Sequence, residues 1–265
     1  MAAEAPRAPR RWLAPVLACA AALVGWEAAV RWWDIPPYLL PGPWLVARTL
    51  AENFASLAPS WWFTVKITLV ALALAVAGGV ALALLFALSR RIESALTPFA
   101  VVLQVTPIIA IAPLILILVD STTAALLICA WIVAFFPILS NTVQGLRSAD
   151  ANLRDLMRLY RASRWQMLRY LLVPSALPYF IAGLKVAGGL ALIGAVVAEF
   201  TAGAAGRETG LASRILEASF RTEIPKMFAA LVLVSVTGIA IHLAMQTLAR
   251  LVLGRWHAQY QDPTT

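Results

Sequence analysis

Six arginines, at positions 147, 154, 158, 161, 164 and 169, crowd the segment 147–176, the one long polar stretch lying between strongly apolar runs of the chain. They alternate with apolar residues at helical spacing: Leu153, Leu156, Met157 and Tyr160, then Trp165, Leu168 and Leu172. Each set has the i, i+3, i+4, i+7 recurrence of an amphipathic helix. Ser163 followed three residues later by Gln166 predicts a capping box at the start of the second helix, and Pro174 and Pro178 are expected to close it. The chemistry of such a segment is recognition: a helix–turn–helix at a membrane surface, shaped to be gripped by another protein. The competing reading is a basic surface loop with no partner.

Elsewhere the residues that could do chemistry are scattered. Lys185 and Glu199 stand inside an apolar run, where charges are rare and face a bundle interior or an aqueous path. Fourteen residues separate them, about 21 Å along a helix, too far for pairing. Glu199 reads as a gate or packing group near the outer end of its span. His242 and His257 are too far apart and too unaccompanied for a metal site, and Cys19 and Cys129 fall inside apolar spans, which argues against a disulfide framework. The glycines at 203, 206 and 210 are not followed by the GK[ST] of a phosphate loop. With no Walker motif, Ser/His/Asp arrangement or metal-ligand cluster, neither catalysis nor a cofactor of its own is expected.

The elements that must position these residues are membrane spans. Hydrophobic residues make up 62% of the 265 and charged ones 13%, against about 25% charged in a soluble domain; mean hydropathy is +0.82. Runs of the length needed to cross a bilayer occur at Trp12–Val30, Ile67–Leu88, Phe99–Val119, Ser121–Leu146, Ala176–Phe200 and Met227–Ala249. The expected fold is an all-α integral membrane protein with about six transmembrane helices. Its domains are a tail at 1–11, a transmembrane domain at 12–255 containing the 147–176 loop, and a tail at 256–265. The first span reads as retained, because Glu27-Ala-Ala-Val-Arg31 is a poor cleavage context for a signal peptide.

Charge distribution orients the bundle and removes nucleic acid as an explanation of the +8 net charge. With the N-terminus inside, thirteen basic residues fall on inner segments and seven on outer ones. The positive-inside rule then makes both termini and the 147–176 loop cytoplasmic. Two prolines, Pro107 and Pro113, lie in the third span near Gln104, Thr106 and Ala110. The carbonyls they free are tolerable only beside protein or water, which predicts a kinked helix lining a cavity. Asn141 in the fourth span is expected to bond a neighbouring helix. Glycines at 78, 79, 183, 188, 189 and 194 predict close helix packing, Leu50–Ser60 a short surface helix, and Leu211–Phe220 another.

The loop resembles that of permease subunits of binding-protein-dependent ABC importers, of the form EAA-xxx-G-x9-I-x-L-P. Placing Pro174 on the final proline puts Asp155 at the Glu, Leu156 and Met157 at the alanines, and Leu171 at the Ile. Arg161 stands where the family has the turn glycine. Either the turn differs, or Arg161 holds a left-handed conformation at about 1–2 kcal/mol. The stretches Leu40-Pro41-Gly42-Pro43, Gln104–Leu114 and Val196–Phe200 are similar to the nitrate, sulfonate, taurine and pyrimidine-precursor branch. The resemblance implies the type I ABC importer permease fold in a bacterial inner membrane. It implies a pair of ATPase subunits carrying ATP and Mg, a periplasmic substrate-binding protein and a permease homodimer. It assigns Asp155, Leu156, Met157, Tyr160, Arg161, Ser163, Trp165, Leu168 and Pro174 to coupling with the ATPase. Gln104, Thr106, Pro107, Ala110, Pro113 and Glu199 become candidates for the pathway of a solute such as a pyrimidine, thiamine precursor, riboflavin, sulfonate or nitrate. The alternative is a secondary transporter driven by an ion gradient, which would want inverted repeats and mid-membrane carboxylates; none is evident.

Overall fold

The computed structural model describes residues 13–203 and 209–254. Both expected tails, Trp12, Gly206, Arg207, Glu208, Arg255 and His257 lie outside the described residues. Among those described, every regular element is helical: α1 Leu13–Trp32, α2 Pro43–Leu88, α3 Arg90–Val105, α4 Ile108–Leu118, α5 Thr122–Arg147, α6 Ala151–Leu159, α7 Arg164–Met167, a π-turn Leu168–Leu172, α8 Val173–Ala202, α9 Leu211–Phe220 and α10 Ile224–Leu253. Among the described residues, five helical stretches are long and apolar enough to cross a membrane, six if α3 and α4 are counted as one broken span.

Glycine sets the centre of the bundle, where α5 and α8 lie against each other. A Cβ on Gly145 would sit 2.8 Å from Ala176 Cα, one on Gly183 2.7 Å from the Pro137 carbonyl, and one on Gly194 2.9 Å from Ala130 Cα. Backbones this close permit nothing larger at the contact. Gly79 brings α2 onto Ile138 of α5 in the same way. Gly189 differs from the expectation, since a Cβ there would meet no neighbour within 4 Å. Apolar burial then fills in around the α2–α5–α8 core, from Phe63, Ile67 and Cys129 towards one end to Phe86, Leu146, Leu168 and Leu253 at the other. The helix α1 buries none of its side chains. Glu27 ties it to the start of α2, accepting the Trp44 N–H at 3.1 Å and the Arg31 Nε–H at 2.8 Å.

Prolines correct the sequence reading in three places. The surface helix expected at 50–60 is part of α2, which runs unbroken through Pro59 for 46 residues, about 69 Å; the buried Leu57, Ser60 and Phe63 hold it through the missing hydrogen bond. The third span is broken where a kink was expected. Its halves α3 and α4 meet at 103°, because Thr106, disfavoured from helical geometry by the following proline, and Pro107 both adopt extended backbone (ψ 122° and 118°). Conversely, Pro174 and Pro178 do not end the loop's second helix, which continues from Arg164 to Ala202. The π-turn at 168–172 sets the Val173 N–H on the Leu168 carbonyl, and the Ser175 hydroxyl donates to the Leu171 carbonyl at 2.8 Å. A widened turn absorbs the hydrogen-bond register that proline would otherwise interrupt. Asn141, expected to bond a neighbouring helix, donates instead to Pro137 O of its own helix at 2.9 Å.

Candidate functional site

The 147–176 segment is built from its caps inward. Asp150, which the sequence reading did not single out, accepts the Asn152 and Leu153 N–H groups at 2.7 and 3.2 Å and so starts α6; an Asp just ahead of an apolar periodic run is the signal that marks such a cap. The helix ends in a Schellman arrangement. Ala162 N–H donates to Met157 O and Arg161 N–H to Arg158 O, both at 2.9 Å. Arg161 itself has φ +54°. Of the two alternatives the sequence left open, the turn keeps its glycine geometry and Arg161 carries the strain. The capping box is present in both halves: Ser163 Oγ accepts the Gln166 N–H at 3.2 Å, and Gln166 Oε1 accepts the Ser163 N–H at 2.7 Å.

This geometry sorts the apolar residues of the loop into two populations. Leu156 is 47% exposed, Tyr160 81% and Trp165 65%, joined by Leu159 at 81%. Met157 and Pro174 are half-buried. Leu168, read from the sequence as part of the same docking stripe, is 3% exposed and packs into the bundle core. That assignment is corrected: Leu168, at the head of the π-turn, faces the core with Leu171. Asp155 is exposed and paired with Arg158 at 3.1 Å.

Arg154 braces the segment on the bundle. Its Nη2 donates to the carbonyls of Leu146 and Arg147 at 3.0 and 2.9 Å, satisfying the open C-terminal end of α5. Arg147 in turn is paired with Glu93 of α3. Neither link has a signature in the sequence, because both join residues that only the folded topology brings together.

Of the pathway candidates, Gln104 and Thr106 share a cavity of about 300 Å³ with Phe136 and Pro137 of α5 and Leu190 of α8. The break at Pro107 opens this space. Pro107, Ala110 and Pro113 are exposed along α4 and do not line it. Glu199 is elsewhere, 1% exposed, with the Thr64 hydroxyl and the Ala212 N–H donating to its two carboxylate oxygens at 2.8 and 3.0 Å. Its role here is to hold the start of α9 against α2 and α8. On the same short helix Arg214 donates to Ser60 Oγ at 3.0 Å and to Glu217 at 2.8 Å, and the latter bond holds the Glu217 carboxyl below its usual range.

Residues 75–254 match the family described as binding-protein-dependent transport system inner membrane component. The chain is 34% identical over 244 residues to the riboflavin transport system permease protein of Chloroflexus aurantiacus, covering 89% of this chain and 87% of that one. It is 33% identical over 242 residues to the formylaminopyrimidine transport permease protein of Halalkalibacterium halodurans (91% and 95%). To a putative aliphatic sulfonates transport permease protein of Bacillus subtilis it is 26% identical over 252 residues (94% and 90%). The chain therefore belongs to the inner membrane components of binding-protein-dependent transport systems and is the permease subunit of an ABC importer.

Proposed function

We propose that this permease imports a neutral heteroaromatic solute of the flavin or pyrimidine class. The observation that carries this reading is the lining of the cavity at the broken span. Gln104 and Thr106 supply its polar groups, Phe136 an aromatic face, and no ionisable side chain is among them. An anion in a site walled by apolar helices would require a compensating charge. The relatives at 34% and 33% identity over about nine-tenths of this chain are named for riboflavin and formylaminopyrimidine; the sulfonate permease is lower at 26%, and a nitrate import permease reaches 31% over only half of the chain. The test is a melting scan of the cognate binding protein against riboflavin, formylaminopyrimidine, an alkanesulfonate and nitrate. A shift with either heteroaromatic compound is expected; a shift confined to sulfonate or nitrate overturns the assignment.

In the assembly proposed here, two copies of the chain stand in a bacterial inner membrane with both termini cytoplasmic. The exposed side chains of Leu156, Leu159, Tyr160 and Trp165 dock on an ATPase pair that carries ATP and Mg, and a periplasmic binding protein delivers solute to the other face. Closure of the ATPases draws the two loops together and rocks the helices between inward- and outward-facing states. The inner excess of basic residues supports this orientation. A reporter fused after Arg255 is expected to signal from the cytoplasm and one at Thr209 from the outer side; the reverse pattern sinks the topology.

A further inference from the structure

Between the loop and the bundle lies a cavity of about 270 Å³ whose wall carries four arginines, Arg90, Arg147, Arg154 and Arg158, and one carboxylate, Glu93. Glu93 is already engaged by Arg147 and Arg158 is paired with Asp155, so Arg90 and Arg154 carry the positive charge of the lining that is not paired with a carboxylate. Arg154 satisfies its Nη2 on two carbonyls, but its Nε–H is buried without a partner. An unmet buried donor is costly, and an anionic oxygen is its natural complement. The rest of the lining, with Ala83, Phe86 and Leu172, is apolar.

A second cavity of about 280 Å³ adjoins the first, sharing Phe86, Glu93, Val143 and Arg147 in its lining. Beyond that common wall Ala100, Val101, Phe136 and Leu139 give it an apolar lining, beside the polar Thr97, Ser140 and Gln144. Phosphate alone would use only the first space. A molecule with a phosphate head and a hydrocarbon tail would use both.

We propose that the two cavities form a binding site for an anionic phospholipid, its phosphodiester between Arg90 and Arg154 and one acyl chain along Thr97 and Val101. The site lies where α3 and α5 meet the start of the loop, so an occupied site braces α6 against the bundle. Basic pockets between transmembrane helices are suited to such head groups, with about 1 kcal/mol, or roughly fivefold in affinity, for each arginine near the surface.

The test is native mass spectrometry of the full-length chain purified with equal amounts of phosphatidylglycerol and phosphatidylethanolamine. The intact chain is expected to retain phosphatidylglycerol preferentially. Arg90→Gln is expected to lower that retention about fivefold, with Arg154→Gln as a second variant, whereas Arg48→Gln, on an exposed arginine paired with Glu52, leaves it unchanged. Arg90 stands at the head of α3 and is exposed, so its replacement does not threaten folding. Thr97→Phe, which fills the second cavity, is expected to reduce lipid retention while sparing any melting shift caused by inorganic phosphate. Equal retention of the two lipids, or no change in Arg90→Gln, overturns the proposal. A phosphate shift as large as that from short-chain phosphatidylglycerol, with Thr97→Phe silent, reduces it to a phosphate site and removes the lipid.

Discussion

The Thr64 hydroxyl donates to the Glu199 carboxylate at 2.8 Å, joining α2 to α8 across 135 residues of sequence. The same hydroxyl oxygen accepts the Leu211 N–H at 2.9 Å, and the second carboxylate oxygen accepts the Ala212 N–H at 3.0 Å. One buried carboxylate and one hydroxyl thus satisfy the first amides of α9 and pin it across two long helices. An anion at a helix N-terminus meets both the open N–H groups and the positive end of the helix dipole. Gly210 is required beside them, because a Cβ there would overlap the Glu199 carboxylate.

Thr64→Val keeps the shape of the side chain and removes the relay. Hydrogen bonds to charged groups are worth about 1.5–3 kcal/mol, and a buried group left unpaired loses most of that. The melting temperature of the detergent-solubilised chain is expected to fall, and protease cleavage between α8 and α9 to accelerate. Thr64→Ser, which retains the hydroxyl, is expected to restore most of both. Equal stability of the Val and Ser variants would show that the relay holds nothing.

Glycines of α8 separate by what they face. Gly183→Ala would place a methyl 2.7 Å from the Pro137 carbonyl and 2.8 Å from Asn141 Cβ, forcing α5 and α8 apart. Overpacking of this kind costs about 1–3 kcal/mol. Gly189→Ala meets nothing within 4 Å and replaces a poor helix former with the best one, a gain of up to about 1 kcal/mol. Thermal scans of the two variants are expected to move in opposite directions. A shared direction would mean that the α5–α8 contact does not set stability.

What the sequence disclosed, and what it withheld, divides along the range of the interactions. The bounds of α9 and the capping box at Ser163 were readable because each depends on residues a few positions apart. The same locality misled at Pro174, where the stop signal is real but a π-turn carries the helix through it, and at Pro107, where a kink became a 103° break. The stripe of the loop was legible as a period, yet Leu168 belongs to the core, since a period alone does not say which side of a short helix the bundle will cover. Glu199 was visible as a buried charge; its partners Thr64 and Ala212 were not, since nothing in an apolar run says which turn of which helix it will meet.

Arg161 occupies the left-handed region at φ +54°, at about 1–2 kcal/mol for a residue with a Cβ. Arg161→Gly relieves that strain but frees the unfolded chain, which returns about 0.4–1 kcal/mol. The net expectation is a gain of roughly 0.5–1 kcal/mol, seen as a rise of a few degrees in melting temperature. Arg161→Ala, which keeps the Cβ, should show no such rise. A drop on changing Arg161 to Gly would mean that the arginine side chain contributes contacts that outweigh its backbone strain.

The strongest test of the proposed coupling surface sets Tyr160 against Leu168, two residues the sequence placed on one stripe and the fold places on opposite sides. Leu168 is 3% exposed within the cluster that contains Leu146 and Leu253, so Leu168→Ala opens a cavity and is expected to destabilise the chain by about 2–5 kcal/mol. Tyr160 is 81% exposed, and its truncation removes nothing from the core, so the melting temperature should stay within about a degree of wild type, as for most surface changes. If the face docks on an ATPase, burial of that ring is worth about 1.5–3 kcal/mol in the complex, and Tyr160→Ala weakens association roughly tenfold or more. The two variants therefore cross: one loses fold stability first, the other loses partner binding and coupled uptake with the fold intact. A Tyr160→Ala chain that binds the ATPase at wild-type strength and supports full transport would remove this loop face from the coupling mechanism.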